Sequence, residues 1–209
     1  MIKLIIVSLS IIILFSSDFE YPHGWDELQT DIGWEVVNKT DRVKVFSKVL
    51  DVSPLPAYKV EMVSDLSVER LIDVAWSVEN SVEIFPNAYI VDAGIYKQLN
   101  DTNYIAFQEF DIPFLSSRLY QFNTILKNNK IYWVRVDSLN PVLNLEKKLL
   151  PPVNFGSWNI KKIQGKSKII YRVCTDPGGN IPLWIVEQAN QFYLPLMLID
   201  LEDYAKIKN

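Results

Sequence analysis

The side chains able to do covalent or acid–base chemistry are few and stand apart from one another. His23 is the only histidine and Cys174 the only cysteine. His23 lies near the start, ahead of the regular elements, so neither a Ser-His-Asp nor a Cys-His arrangement can be placed in the core. Aspartates and glutamates occur singly along the chain, with no histidine cluster of metal-ligand spacing. The seven glycines form no phosphate-binding loop, and Gly178-Gly179 reads as a turn. No catalytic residue, metal site or cofactor is assigned, and no enzymatic activity is expected. Cys174 sits in an apolar strand and reads as a small buried hydrophobe; a lone cysteine also excludes an intramolecular disulfide. Asn38-Lys39-Thr40 and Asn100-Asp101-Thr102 match the N-glycosylation pattern but read as ordinary hairpin turns.

The elements that must position any site are delimited by turn residues. A strand-like run from Lys168 to Thr175 meets Asp176-Pro177-Gly178-Gly179-Asn180-Ile181-Pro182, a cluster that redirects the chain. Pro182 suits the first turn of a helix, which runs to about Tyr204. In that helix Ile185, Ala189, Phe192, Leu196 and Ile199 form one apolar stripe, and Val186, Tyr193, Met197 and Tyr204 form a second beside it. Leu194, Leu198 and Leu201 extend apolarity almost around the cylinder, so it must be covered on more than one side, by protein or by a bound apolar molecule. Pro195 removes the bond to the Gln191 carbonyl in mid-helix. Upstream, Gly24 to Gln29 reads as a short helix, and Trp34–Val37 and Val43–Ser47 as a hairpin. Tyr58 to Val63 is a strand. Ser67 is the N-cap of a helix carrying Val68, Leu71, Ile72, Ala75 and Trp76, with Arg70 where a capping-box glutamate would stand. Strands are expected at Ala88–Leu99, Asn103–Asp111, Tyr120–Lys127, Lys130–Leu139 and Gly156–Ile163. Two longer connections, Ile112–Arg118 and Asn140–Asn154, interrupt them. The inventory predicts an α+β fold with a curved antiparallel sheet against a long C-terminal helix.

Of the 209 residues, 49% are hydrophobic and 12% aromatic, enough for one substantial core. Leu4 through Phe15 form an apolar run preceded by Lys3 and ended by Ser16-Ser17. At about 1.5 Å per residue it is short for a hydrocarbon core of about 30 Å, which favours a signal peptide over residues 1–17. Phe15 departs from the small residue preferred before the cleavage site, so an uncleaved anchor stays open as the alternative. Residues 18–209 then form one exported domain, periplasmic or secreted. Losing the segment removes Lys3 and no acid, leaving the rest one charge more negative than the −4 of the whole chain. A net-acidic domain without basic clusters is a poor nucleic-acid binder.

From Gly33 to Ala205 the chain resembles the START family of lipid-transfer domains related to steroidogenic acute regulatory protein, and in particular its bacterial members. Gly156-Ser157-Trp158 and the run from Tyr171 through Asp176–Pro182 carry most of the resemblance. Gly33-Trp34-Glu35, Val43-Lys44-Val45 and Phe85-Pro86-Asn87 support it. The resemblance implies a helix-grip fold, a sheet wrapped around the C-terminal helix with a hydrophobic tunnel for one lipid or other hydrophobic small molecule. It implies transfer between membranes, with transient membrane contact by a monomer. It also implies a gate, here the loop Ile112–Ser117, whose tip carries Phe114 and Leu115. Arg118 is followed by Leu119 where the family has Asp, and Phe85 replaces a tryptophan. Helix-grip enzymes of the polyketide cyclase and aromatase type are the alternative.

On that resemblance one face of the last helix lines the tunnel, with Ile185, Ala189, Phe192 and Leu196 as candidates and Tyr193 as alternate. Strand alternation supplies the opposite wall. Trp133 and Arg135 share a face of their strand, as do Ile105, Phe107 and Glu109 of theirs. If both charges point inward, Glu109 and Arg135 pair and anchor a polar group of the ligand; if outward, both are solvated. Trp158 and Tyr171 line the tunnel with their polar tips or pack as plain core.

Overall fold

The computed structural model describes residues 19–113, 115–137 and 148–208. The expected signal segment, Phe114 and much of the 140–154 connection lie outside them. The elements run α1 (Trp25–Gln29), β1 (Glu35–Lys39), β2 (Val43–Lys48), β3 (Ala57–Ser64) and α2 (Val68–Trp76). A short 3-10 turn (Val78–Asn80) and α3 (Ser81–Ile84) follow, then β4 (Ile90–Asn100), β5 (Asn103–Phe110), β6 (Arg118–Lys127) and β7 (Lys130–Arg135). The chain ends with β8 (Val153–Ile163), β9 (Lys166–Asp176) and α4 (Leu183–Ile207).

All nine strands form one antiparallel sheet in the order β1-β2-β3-β9-β8-β7-β6-β5-β4. Six consecutive strands meander from β4 to β9, and β9 then pairs with β3, joining the first hairpin to the rest. The tight turns use residues that tolerate φ > 0: Asn128 and Asn129 between β6 and β7, Gln164 and Gly165 between β8 and β9. Two such residues in succession give the turn twist that suits a hairpin. The sheet is open, with β1 and β4 as its edges, so the expected wrapping around the helix reduces to a long helix lying across one face. Among the described residues no helix is long and apolar enough to cross a membrane.

The main core lies between that face and α2 and α4. Leu198, Leu201 and Ala205 of α4 are fully buried with Val60 of β3, Leu71 of α2 and Ile169 of β9. The opposite face carries a smaller cluster, where Trp25 and Leu28 of α1 cover Val134, Phe155 and Cys174. Ser67 caps α2 as expected, its hydroxyl accepting from the Arg70 N–H at 3.2 Å. Arg70 is free of a capping-box role and serves another helix. Its guanidinium donates to the carbonyls of Ala205, Lys206 and Lys208, acceptors that the C-terminus of α4 would otherwise leave unmet. The carbonyl orphaned by Pro195 is also met from outside: Asn38 of β1 donates its Nδ2–H to Gln191 O at 3.1 Å.

Glu202 fixes the buried half of α4 electrostatically. Its side chain is 6% exposed and pairs with Lys206 at 2.8 Å, one turn on, and with Arg42 of the β1–β2 turn. Burial would raise the pKa of this carboxyl, but hydrogen bonds from Lys206, Ser64 and Arg42 outweigh it and hold the group below its ordinary value. A carboxyl depressed in the folded state stabilises fully above its unfolded pKa, and that contribution is lost as pH falls through the folded value. Glu202→Gln should therefore cost about 1–3 kcal/mol at neutral pH and reduce the loss of stability on acidification. Urea melts across the acid range check this; a pH slope identical to that of the unmodified protein would assign the acid sensitivity to other carboxyls.

Candidate functional site

Beyond the region that α2 and the second half of α4 cover, the sheet face is left facing a cavity. Register sets its floor. Tyr104, Thr124, Trp133, Gly156 and Val173 lie side by side across β5 to β9, all on one face. The next row on that face brings Ile131, Trp158 and Tyr171 together. Trp133 stacks on Tyr171 with ring centroids 5.5 Å apart, and Trp158 leans on Tyr171 at 4.4 Å. Phe85, from the turn after α3, lies parallel to Trp158 at 6.5 Å.

The Gly-Ser-Trp segment of β8 shows why these types occur in this order. A Cβ on Gly156 would run into the Trp133 indole and the Arg172 carbonyl, so only glycine lets that indole lie against the sheet. Ser157 points to the other face, donating to Gln29 Oε1 of α1 at 3.0 Å. Trp158 returns to the cavity. Trp133 is tethered as well, its Nε1–H donating to Asn154 Oδ1 at 3.3 Å.

The roof is the stretch of α4 from Ile185 to Met197, through Ile185, Val186, Ala189, Asn190, Tyr193 and Met197, and one side is the β5–β6 loop, through Ile112, Pro113 and Leu115. The cavity volume is about 440 Å³, within the range of about 300–1,000 Å³ of small-molecule sites. Pro113, Tyr89 and Ile185 both line it and are exposed, which locates where it meets the surface. There the Tyr193 hydroxyl donates to that of Tyr89 at 3.2 Å, joining α4 to the turn before β4.

Among the described residues the cavity wall carries no Asp, Glu, Lys, Arg or His. Its polar groups are mostly engaged with protein. The Gln108 amide donates to Ser81 Oγ at 2.8 Å, and the Tyr104 hydroxyl donates to the Trp76 carbonyl at 2.9 Å. Burial, with the negative charge of Glu187 adding to it and a hydrogen bond with Asn190 opposing it, pushes Tyr58 up to about 12. Burial likewise raises Tyr104 and Tyr171, so these phenols keep their protons at physiological pH. Cys174 lies on the other face, where burial and then Asp176 push its thiol up to about 12. Among the described residues no three metal-binding side chains of the His, Cys, Asp and Glu types come together.

Of the positions expected from the sequence, Trp133, Trp158, Tyr171, Ile185, Ala189, Tyr193 and Leu115 lie on the cavity wall. Phe107, Glu109, Arg135, Phe192 and Leu196 do not. On β5 it is Tyr104, Gln108 and Phe110 that face the cavity, so Phe107 and Glu109, in the other alternation, lie on the opposite face. The Glu109–Arg135 pair does not form: Glu109 accepts from Lys148 Nζ at 2.6 Å, and Arg135 pairs with Asp137. On α4 the wall is rotated toward the second apolar stripe. Val186, Asn190 and Met197 join it, while Phe192 is 64% exposed and Leu196 is half-buried off the wall. Gln108, Thr124 and Asn190 were not singled out by the sequence, since isolated polar residues in apolar elements read equally well as surface.

No family model matches the chain, and no curated protein does. Solved structures do match its fold. A STAR-related lipid transfer protein from Xanthomonas axonopodis superposes with a TM-score of 0.72 at 18% identity, over 83% of this chain and 99% of the other. Human STARD10 gives 0.72 at 17% identity, over 86% and 76%. The Zhui aromatase/cyclase from a Streptomyces species gives 0.50 at 9% identity, over 71% and 90%. The fold is similar to the helix-grip fold of these structures, and it is compatible with a cavity for a hydrophobic ligand.

Gly156 gives the direct test of this wall. Gly156→Ala should destabilise the protein by about 1–3 kcal/mol, the range for overpacking a well-filled site, and should displace the Trp133 indole. Urea melts with tryptophan fluorescence read both effects; a variant of unchanged stability and emission would mean that Trp133 does not lie over this position.

Proposed function

We propose that this protein binds a hydrophobic small molecule, a lipid in the broad sense, in the cavity between its sheet and α4, and carries it between membranes as a monomer. The observation that carries this reading is the aromatic-floored cavity of about 440 Å³, left open where a packed core would otherwise lie. Apolar ligand surface moved there from water gains about 25 cal/mol per Å². That the similar Xanthomonas structure is a STAR-related lipid transfer protein agrees with it.

Entry is through the surface shared by the β5–β6 loop and the first half of α4, which act as the gate. Leu183, Trp184 and Phe192 are exposed on that half-helix, at 48%, 60% and 64%. Large exposed apolar side chains suit contact with another apolar phase, and here that phase is the membrane from which the ligand is drawn. The segment over residues 1–17 directs export, so transfer takes place outside the cytoplasm. No group on the cavity wall is given a catalytic role.

Ala189 tests the reading because it lines the cavity with a small side chain. Ala189→Trp should fill the void, abolish uptake of a neutral fluorescent apolar probe, and remove any co-purified lipid from native mass spectra. Thermal stability should stay within a few degrees, since the added volume enters empty space. A variant that binds the probe as before would move the ligand site away from α4, and one that loses its fold would show a packed core there.

A further inference from the structure

The chemical character of the ligand can be read from which hydrogen bonds the wall has left unmade, given that the cavity is the binding site. Trp158 and Tyr171 face each other in register on adjacent central strands, both line the cavity, and both are more than nine-tenths buried, at 6% and 7% exposure. Most neighbouring polar groups have protein partners: Trp133 has Asn154, Gln108 has Ser81 and Tyr104 has the Trp76 carbonyl. Among the described residues the Trp158 indole N–H and the Tyr171 hydroxyl make no hydrogen bond to protein, and the buried Thr124 hydroxyl, in the neighbouring row of the same wall, also lacks a partner. Buried indole and phenol groups ordinarily find a partner, because each loses its hydration on folding.

Charge narrows the class further. With no charged side chain among the described residues on the wall, an ion drawn inside would lose its hydration without a counter-charge. The charges felt on the wall are Arg118 and Asp176, of opposite sign, at Tyr120 and the negative Glu79 at Tyr104, so no net positive charge awaits an anion. Burial holds the Tyr171 phenol protonated, so it both donates and accepts. The cavity is also in the lower half of the usual size range, which suits a single chain or a compact ring system.

We infer that the cavity selects a neutral, singly oxygenated apolar molecule, an alcohol or ketone, whose oxygen accepts from the Trp158 indole N–H and bonds the Tyr171 hydroxyl, in preference to a fatty-acid anion. A hydroxyl ligand accepts from Trp158 and donates to or accepts from Tyr171; a carbonyl accepts from both. The two aromatic faces around this pair cover the adjoining hydrocarbon.

The test compares ligands of one chain length on the delipidated full protein. Hexadecanol, hexadecanoate and hexadecane are titrated against bound phenylnaphthylamine, a neutral fluorophore, at mildly alkaline pH where the carboxylate is ionised. Hexadecanol should displace the fluorophore at least about tenfold more tightly than hexadecanoate. Tyr171→Phe should weaken hexadecanol about fivefold to tenfold, the loss of one hydrogen bond, while leaving hexadecane unchanged. Trp158→Phe should act in the same direction. Hexadecanoate binding as tightly as hexadecanol on the unmodified protein would overturn the inference without recourse to any variant. So would a folded Tyr171→Phe protein that binds hexadecanol normally. If neither the fluorophore nor any of the three ligands binds, it is the cavity's binding role that falls, and this inference with it.

Discussion

One constraint organises the molecule: a nine-stranded sheet presents a larger apolar face than two helices can cover. α2 packs on β7 and β8, and α4 packs on β2, β3 and α2. The buried α4 positions, Leu194, Pro195, Leu198, Leu201, Glu202 and Ala205, all lie from Leu194 onward. The first half of the helix continues over the sheet without closing on it, and the aromatic floor of β5 to β9 is what it fails to reach. A cavity of this kind is a consequence of mismatch between layers rather than of any single residue. It persists because the C-terminal end of α4 is fixed. Arg70 ties the C-terminus of α4 to α2, and Glu202 ties its last turns to Arg42 at the first hairpin.

Pro195 marks the boundary between the two halves of α4. A proline in mid-helix leaves the carbonyl four residues earlier without its normal donor, and Asn38 supplies one from an edge strand. The helix thereby stays attached to the sheet at the point where it begins to leave it. On the N-terminal side the contacts are those of a surface element: exposed Leu183, Trp184 and Phe192, and the Tyr193–Tyr89 hydroxyl pair. Tyr89 holds a positive φ of 57, a conformation few side chains adopt outside tight turns. Fewer buried contacts on this half place it at the low-stability end of the structure.

Much of this was legible in the sequence because local chemistry decided it. Asn128-Asn129 and Gln164-Gly165 mark hairpins through their tolerance of φ > 0, Ser67 announces a helix start, and the Asp176–Pro182 cluster turns a strand into α4. What was not legible is phase. β5 reads Asn-Tyr-Ile-Ala-Phe-Gln-Glu-Phe, with apolar residues in both alternations, so Tyr104 and Ala106 on the cavity side look no different from Ile105 and Phe107 on the other. α4 is apolar nearly all round, and nothing in its periodicity distinguishes the stripe through Phe192 from the one through Tyr193. Strand alternation did put Trp133 and Arg135 on one face, but Arg135 is the last residue of β7, where it pairs with Asp137 instead of reaching a carboxylate two strands away.

Gly156 shows how a single small residue lets a crowded sheet carry the floor of a cavity. In a closed core, glycine in a central strand weakens packing and has no side chain to bury. Here its vacancy is taken by the Trp133 indole, which then offers its ring to Tyr171, and Tyr171 in turn meets Trp158. The three rings form a continuous wall from three adjacent strands, with the geometry set by register and not by flexible loops. Sites built on strands hold their shape to a fraction of an ångström better than sites built on loops. Such a wall is fixed by the sheet, whereas the half of α4 ahead of Pro195 and the loop that faces it are the less tightly packed sides of the cavity.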